Sequence, residues 1–407
     1  MRLRQGGVPP NVTLVAHAGS YGGVATHLNH FVSVLRELCT IKGVFFFTVD
    51  SVSVDPIDGI PTPVLKPNIP RWIAGSIIFR ALRVPLTFFR EILLSFRHPR
   101  ELLGKHIVLT SHDPNALWGF VLLSRQAEYS LFVLPDIDTE QTNGKSVAIR
   151  LWNGLLRRMI LKRISNGALR LAVPTREAAE IWSRFIGIDP VLIQAIPHPP
   201  FLARNCANVI PDTQKADPIV DDLIRRAEEG ERIVLSVGHL EDYKNPQKWL
   251  EFAKFVHQKE PKILFVWVGG GSRFEEMQAS VWRHKRIILA GRLNQQDLRR
   301  LYKASWLFFH PAIKESQGIV VMDALTLGLP VILNKSEALP GLIADTEAGY
   351  VIDCNETDAK AAFLRILQRF QDDKEYEKAS REAATLAKSR FSYETWRSDL
   401  ARLIHGT

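Results

Sequence analysis

The sequence predicts an α/β protein built from two doubly wound parallel-sheet domains. Short apolar runs alternate with amphipathic stretches along the whole chain, which is the pattern of βα units. The 407 residues exceed one ordinary domain and fit two of about 200 residues each. The alternation breaks once, in a polar, proline-containing stretch at 197–219 that we interpret as an interdomain linker.

The first domain is predicted over residues 1–205. Residues 12–16 form its first apolar run, and a glycine-rich turn at 19–23 leads into a helix with an apolar face over 28–38. Further strands are predicted at 44–49, 107–110, 130–134 and 169–173.

The second domain is predicted over residues 220–391. Its strands are predicted at 233–238, 263–268, 287–289, 306–310, 331–333 and 350–352, and the last 50 residues read as helices. Ligands of such sheets bind beyond the carboxyl ends of the strands, so we expect the site in a cleft between the two domains.

The composition excludes several protein classes. Apolar residues make up 46% and charged residues 23%, which are globular proportions that argue against disorder or coiled coil. Three scattered cysteines, Cys39, Cys206 and Cys354, build neither a disulfide framework nor a CxxC zinc site, which favours a reducing compartment. No apolar stretch reaches the roughly 18 residues of a membrane span, and the N-terminus lacks the apolar core of a signal peptide.

The positive charge lies in the N-terminal half. Residues 1–210 carry 23 Lys and Arg against 14 Asp and Glu, whereas residues 211–407 carry 29 of each. Residues 141–176 hold no acid, and residues 71–100 combine six arginines and several aromatics with one glutamate. Basic amphipathic helices of this kind favour an anionic membrane surface, although arginines solvated on packed helices remain the alternative. No nucleic-acid-binding module is found.

The segment 315–332 is the most specific functional motif in the sequence. Glu315 lies in the loop after a predicted strand, where a carboxylate can accept hydrogen bonds from hydroxyl groups. The sequence Gly318-Ile319-Val320 opens a predicted helix, whose free N–H groups and positive end suit an anion. Asp323 lies about one turn further, where it can accept hydrogen bonds from a vicinal diol such as a ribose.

This segment resembles the E-x7-E motif of the retaining glycosyltransferases of family 4 (group 1), which have the GT-B fold of two Rossmann-like domains. Five other segments resemble parts of the same family pattern in the same order. They are 22–28, 237–245, 267–271, 290–293 and 391–396. The last resembles the start of a C-terminal helix that crosses back to the first domain, which would add residues from about 392 to 407 to that domain.

The resemblance implies roles for individual residues. Glu315 and Lys244 are implied as catalytic, together with His112 and Asp136 of the first domain. The nucleotide-sugar donor would be bound by the following set: Gly22, Gly23, His239, Lys244, Gly270, Arg292, Leu293, Glu315, Gly318, Ile319, Val320 and Asp323.

Four positions depart from the family pattern, one of them Gln317, which replaces an aromatic residue. His239 replaces an arginine, and histidine is charged only when protonated. Asp323 replaces the second glutamate, which keeps the charge and shortens the reach. Pro135 and Asp136 follow a predicted strand where many relatives carry a histidine.

The implied reaction moves a sugar from a nucleoside diphosphate to an acceptor with retention at the anomeric carbon. Lys244, His239 and the helix start at Gly318 would stabilise the charge on the departing phosphate, and Glu315 would orient the sugar. The resemblance implies no metal, no cofactor and a lipid-linked or polysaccharide acceptor. It favours a cytoplasmic protein that is peripheral on the inner membrane face.

Three other functions stay open. A non-catalytic relative would keep the fold and act as a nucleotide-binding scaffold, and a nucleotide-sugar epimerase would use the same two domains. A P-loop enzyme is a weaker alternative, because Gly144-Lys145-Ser146 lacks the earlier glycine of that motif at Thr139. Asp136 and Asp138 form a D-x-D pair that binds metal in a different glycosyltransferase fold.

Overall fold

A computed structural model describes most of the C-terminal half of the chain and parts of the N-terminal half. The described residues are 11–17, 23–47, 59–61, 64–65, 106–109, 129–133, 147–197, 199–200, 202, 216–315, 318–336 and 340–405. The chain divides into two compact units. The first comprises residues 1–196 and 397–407, and the second comprises residues 197–396.

The first unit contains a parallel sheet of seven described strands in the order β3-β2-β1-β4-β5-β6-β7. The strands are β1 (Asn11–His17), β2 (Thr40–Phe47), β3 (Val64–Leu65), β4 (His106–Leu109), β5 (Tyr129–Val133), β6 (Leu169–Val173) and β7 (Ile193–Ala195). Parallel neighbours require crossover connections, so this strand order is the doubly wound arrangement predicted from the alternating pattern.

Helices of the first unit pack against this sheet. They are α1 (Gly23–Leu38), α2 (Val147–Ser165) and α3 (Arg176–Ile186). Phe31, Val34 and Leu35 of α1 are completely buried, which follows from their helical spacing. The hydroxyl of Thr175 caps α3 by accepting the Ala178 N–H at 3.1 Å.

The second unit contains a parallel sheet of six described strands in the order β10-β9-β8-β11-β12-β13. They are β8 (Arg232–Val237), β9 (Ile263–Val268), β10 (Ile287–Gly291), β11 (Leu307–His310), β12 (Val331–Asn334) and β13 (Gly349–Ile352). The strand order reverses between β8 and β11, and ligands of open parallel sheets bind beyond the carboxyl ends at such a switch point.

Helices cover both faces of the second sheet. They are α4 (Pro218–Glu228), α5 (Pro246–His257), α6 (Phe274–Val281), α7 (Gln295–Ala304), α8 (Ile319–Thr326), α9 (Pro340–Ile343), α10 (Ala359–Arg369) and α11 (Asp373–Arg390). Two apolar clusters fill the layers between sheet and helices. All six residues of β9 are buried, as expected for a strand covered on both sides.

The last helix, α12 (Tyr393–His405), joins the first unit from residue 397 onward. Arg397 Nε donates to the Glu37 carboxylate of α1 at 2.9 Å. The guanidinium of Arg170 in β6 donates to the Leu403 carbonyl at 2.7 Å. Leu400 and Leu403 are buried, so this helix supplies part of the first unit's core.

Each predicted strand overlaps a strand of the structure, and the ends of the two differ by a few residues. The short strands β3 and β7 were missed because two or three residues carry no measurable period. The basic stretch 71–100 and the turn at 18–22 lie outside the described residues. Within the described parts of the chain, none of the helices has the length and apolarity needed to cross a bilayer.

Candidate active site

Loops at the carboxyl edge of the second sheet are tied to one another by hydrogen bonds. The loop after β8 and the loop after β9 meet where the Leu240 N–H donates to the Gly270 carbonyl at 3.0 Å. The carboxylate of Glu241 accepts the backbone N–H of Ser272 at 2.7 Å and its hydroxyl at 2.6 Å. These two loops therefore form one surface.

The loop after β11 is attached to the same surface. The Ile313 N–H donates to the Tyr243 carbonyl at 2.8 Å, and the Asn245 side-chain amide donates to the Pro311 carbonyl at 3.2 Å. Asn334, at the end of β12, donates its amide to the Ala312 carbonyl at 3.1 Å. The loop that carries Glu315 is held from both sides.

Gly269 is required by the close approach of two loops. It has a φ of 138°, and a Cβ there would lie 2.0 Å from the Gly238 carbonyl oxygen. The Trp267 indole N–H donates to that same carbonyl at 2.9 Å. Gly271 is similar, since a Cβ there would lie 2.6 Å from the Leu240 carbonyl oxygen. These two glycines thus serve backbone packing, in line with the absence of a complete dinucleotide fingerprint.

Lys244 and Glu315 meet at this edge. Lys244 ends a short 3₁₀ turn after β8, and the following Asn245 adopts a left-handed conformation with φ 58° that starts α5. The ammonium group of Lys244 forms an ion pair and a hydrogen bond with Oε2 of Glu315. Both side chains are mostly buried, with exposed fractions of 12% and 15%.

His310 contacts the same carboxylate. It is the last residue of β11, is 2% exposed and stacks on Phe308 with a centroid distance of 6.0 Å. Its Nε2 lies 3.0 Å from Glu315 Oε2. A carboxylate offers only acceptors, so Nε2 carries the proton and donates.

The three groups set one another's protonation. Burial alone would raise the pKa of Glu315, but the charge of Lys244 and the hydrogen bond from His310 lower it to about 2. Burial lowers the pKa of His310 from its ordinary 6.5, and the nearby Lys244 charge lowers it further, against the opposing effect of Glu315. At neutral pH the cluster therefore holds an ionised carboxylate, a lysine and an uncharged imidazole.

The start of α8 lies three residues after Glu315. Gly318 is the N-cap in a left-handed conformation, φ 65° and ψ 57°, which suits glycine. The Tyr302 hydroxyl donates to the Val320 carbonyl at 3.0 Å and fixes the first turn from the side of α7. The N–H groups of a first helical turn lack intrahelical acceptors, which is the feature from which anion binding was predicted. Anion binding by Gly318, Ile319 and Val320 stays a prediction.

Asp323 has a contact that the sequence did not predict. It is 3% exposed, and its Oδ1 accepts the backbone N–H of Leu202 at 2.8 Å. Leu202 is itself buried in the apolar cluster under α8. The observed role of Asp323 is to anchor the segment that precedes the second unit's first helix, and its ribose-binding role stays a prediction.

Other predicted donor-binding residues line the same edge. The Arg292 side chain, on an exposed residue after β10, runs past Gly270, where a Cβ would lie 3.2 Å from Nε. Leu293 packs partly against the core cluster. His239 lies in the loop after β8, half-buried between Gly238 and Leu240.

Several predicted site residues belong to the part of the chain without a described placement. Gly22, His112 and Asp136 lie outside the described residues, and Gly23 is described only as the first residue of α1. Among the described residues, no group of three or more His, Cys, Asp or Glu is arranged to hold a metal ion.

His310 is the functional candidate that sequence reasoning missed. Its signal was a histidine at the end of a buried strand, five residues before the motif glutamate, in a sheet whose strand ends carry the site. A lone histidine of this kind is common, so no sequence pattern distinguished it from a structural residue.

The second unit matches a known family. Residues 222–386 match the family model described as glycosyl transferases group 1. Over 211 residues the chain is 28% identical to the UDP-Gal:alpha-D-GlcNAc-diphosphoundecaprenol alpha-1,3-galactosyltransferase of Escherichia coli, covering 50% of this chain and 52% of that protein. It is 36% identical over 104 residues to the O-antigen chain mannosyltransferase B of Escherichia coli, covering 26% of each. The chain thus spans about half the length of these curated relatives or less.

The whole chain is similar to solved structures. Anabaena HepE in complex with UDP and glucose superposes with a TM-score of 0.68 at 16% identity, covering 98% of this chain and all of that one. The sucrose-phosphate synthase of Thermosynechococcus elongatus gives a TM-score of 0.68 at 17% identity, covering 98% of each chain. The predicted α/β fold with the GT-B architecture is confirmed, and the resemblance to group 1 glycosyltransferases is confirmed over the second unit.

Proposed function

We propose that this protein is a glycosyltransferase that moves a sugar from a nucleoside-diphosphate sugar to a lipid-linked or polysaccharide acceptor. The observation that supports this most is the cluster of Lys244, Glu315 and His310 at the carboxyl edge of the second sheet, beside the start of α8. The cluster lies inside the region that matches group 1 glycosyltransferases.

The cluster and the adjacent start of α8 offer groups that can bind both the diphosphate and the sugar of such a donor. Lys244 and the N–H groups at Gly318, Ile319 and Val320 offer positive charge to a diphosphate, whose β-phosphate gains charge as the sugar leaves. The ionised Glu315 carboxylate can accept hydrogen bonds from sugar hydroxyls and hold the anomeric carbon in position. We propose that His239 adds a further contact to the phosphates from the loop after β8.

The acceptor class and the location are inferred from relatives and from charge. The two Escherichia coli relatives act, by their names, on a diphosphoundecaprenol-linked sugar and on the O-antigen chain. The basic N-terminal half is consistent with an anionic membrane surface. We propose a peripheral protein at the cytoplasmic membrane face, retention at the anomeric carbon and no requirement for a metal.

Substitution of Lys244 tests the proposal. We expect Lys244→Ala to lower the transfer rate by about 100-fold or more, because one preorganised charge at a developing oxyanion is worth a few kcal/mol. The measurement is the rate of sugar transfer, or of slow donor hydrolysis, over a panel of nucleoside-diphosphate sugars. NMR of the product gives its anomeric configuration and tests retention. The same assay with and without EDTA tests the requirement for a metal.

Lys248→Ala is the matched control. Lys248 lies four residues further on, in α5, and pairs with the partly exposed Glu251 at 3.1 Å. Equal rates for the Lys244 and Lys248 variants would contradict the proposed site.

Two observations favour a second candidate, a non-catalytic nucleotide-binding protein. Asp323 is already bound to the Leu202 backbone, and His239 stands where the family carries an arginine. Thermal stabilisation of the purified protein by a nucleoside diphosphate, without turnover of any sugar in the panel, would support this candidate over the enzyme.

A further inference from the structure

Two hydrogen-bond donors converge on one oxygen of Glu315. The ammonium group of Lys244 and the Nε2–H of His310 both contact Oε2. Among the described residues, no contact to Oε1 is found. The carboxylate is therefore held through one oxygen while the other remains for a ligand.

Lys244 has two competing acceptors. In the structure it is bound to Glu315, whereas the proposed function requires it at the donor's diphosphate. A diphosphate carries more charge than a carboxylate and draws the ammonium group toward itself. When Lys244 turns to the phosphate, its hold on Oε2 weakens, and His310 is the remaining described partner of that oxygen.

We infer that His310 is a positioning residue that keeps Glu315 aligned on the sugar while Lys244 serves the diphosphate. The inference rests on the proposed function, because it assigns Lys244 to the phosphate and Glu315 to the sugar. It divides the cluster into one movable charge and one fixed neutral donor.

The surroundings of His310 suit a fixed donor. The residue ends a buried strand paired with β8 on one side and β12 on the other, and its ring stacks on Phe308. The charged groups that face it are Lys244 from the loop after β8 and Glu315 from its own loop. An uncharged imidazole holds the carboxylate without neutralising it, so Glu315 keeps its charge for the sugar.

Three variants test the inference by separating phosphate binding from turnover. His310→Phe keeps an aromatic ring on Phe308 and removes the donor, and His310→Gln restores a donor on a flexible chain. Glu315→Gln removes the charge that competes for Lys244. His284→Gln, in the turn before β10, is the control for a histidine away from the site.

We expect His310→Phe to lower kcat by about 10- to 100-fold, in the range of a lost positioning contact, and His310→Gln to recover part of that loss. The dissociation constant of inorganic pyrophosphate, measured by calorimetry, should stay within about twofold in both His310 variants. It should fall by about 3- to 10-fold in Glu315→Gln, because Lys244 is then released to the anion.

A spectroscopic measurement gives an answer that does not depend on turnover. We expect the ¹⁵N NMR signals of His310 to report a proton on Nε2 and none on Nδ1 at neutral pH, with and without pyrophosphate. Loss of that tautomer when pyrophosphate binds would overturn the inference.

Further outcomes distinguish failure of the inference about His310 from failure of the proposed function. Weaker pyrophosphate binding together with lower kcat in His310→Phe would show a merely structural role, as would equal activity of the Phe and Gln variants. Absence of transfer by the wild-type protein, with pyrophosphate affinity unchanged in Lys244→Ala, would instead refute the proposed function on which the inference rests.

Discussion

Glu315 and Asp323 stand at the two ends of one sequence motif, yet the fold uses them differently. Glu315 lies in a loop at the carboxyl edge of the sheet and is bound by two side chains, Lys244 and His310. Asp323 lies in the second turn of α8 and is bound by a backbone N–H from Leu202. Both are mostly buried, so burial alone does not distinguish them.

The difference shows that the hydrogen-bond partners of a buried carboxylate determine whether it can bind a ligand or only stabilise the fold. A carboxylate held by side chains on one oxygen keeps a second oxygen for a ligand. A carboxylate held by the backbone of a distant segment stabilises the fold, because removing it leaves a buried N–H without an acceptor. Spacing along the chain identifies candidate site residues, and their hydrogen-bond partners distinguish a ligand-binding acid from a structural one.

The largest expected effect is on the transfer rate, which we compare between variants of the two acids. We expect Glu315→Gln to lower the transfer rate by about 100- to 1000-fold, because the charge that orients the sugar is lost. Asp323→Asn keeps an oxygen acceptor for Leu202 and should lower the rate by less than about 10-fold. The measurement is steady-state transfer at saturating donor.

The same pair of variants tests the ribose-binding prediction. A loss in Asp323→Asn as large as that in Glu315→Gln, accompanied by a raised KM for the donor, would show that Asp323 binds the donor after all. The comparison between the two acids would then fail.

A smaller effect is expected on stability. Asp323→Ala should lower the free energy of unfolding by about 1 to 3 kcal/mol, because the buried Leu202 N–H loses its acceptor. Glu377→Ala is the matched control, since this α11 residue is exposed and its ion pair with Arg381 is long, at 3.4 Å. Urea denaturation measures both, and equal values would contradict the anchoring role of Asp323.

The smallest effect is a pH dependence carried by the cluster around Glu315. The pKa of Glu315 is lowered to about 2 from 4.5, and that of His310 is lowered from 6.5. In both cases the unfolded state binds more protons, so the free energy of unfolding rises with pH. The contribution of His310 is lost as pH falls below 6.5, and that of Glu315 is lost between about 4.5 and 2.

The measurement is the unfolding midpoint as a function of pH. His310→Gln should remove the part of the slope that begins near pH 6.5 and leave the acidic part. An unchanged profile near pH 6.5 in this variant would show that His310 does not titrate in the way its surroundings predict.

Much of the fold follows from local pattern. Apolar runs of four to seven residues located the strands of the second sheet, since those strands are buried on both sides and carry little polar sequence. The meeting of Lys244 and Glu315 was also predictable, because both follow strands that end at the same edge of a parallel sheet. The strands β3 and β7 were too short to show a period.

The contacts made by distant segments were not predictable. Leu202 and Asp323 are separated by 121 positions, and no local rule pairs a backbone N–H with a particular acid. His310 was missed for a related reason, since its importance comes from the side chains around it and not from its spacing. Sequence pattern predicts where elements lie, and it does not predict which groups satisfy one another's hydrogen bonds.

The last helix has a consequence for how the protein is made. The first unit takes residues 397–407 from a point about 200 positions beyond its other residues, whereas the second unit is continuous. At 5 to 20 residues per second, a ribosome needs about 10 to 40 s to add that intervening chain. During that interval the nascent first unit lacks the partners of Glu37 and Arg170, so the later-synthesised unit can complete its fold before the earlier one does.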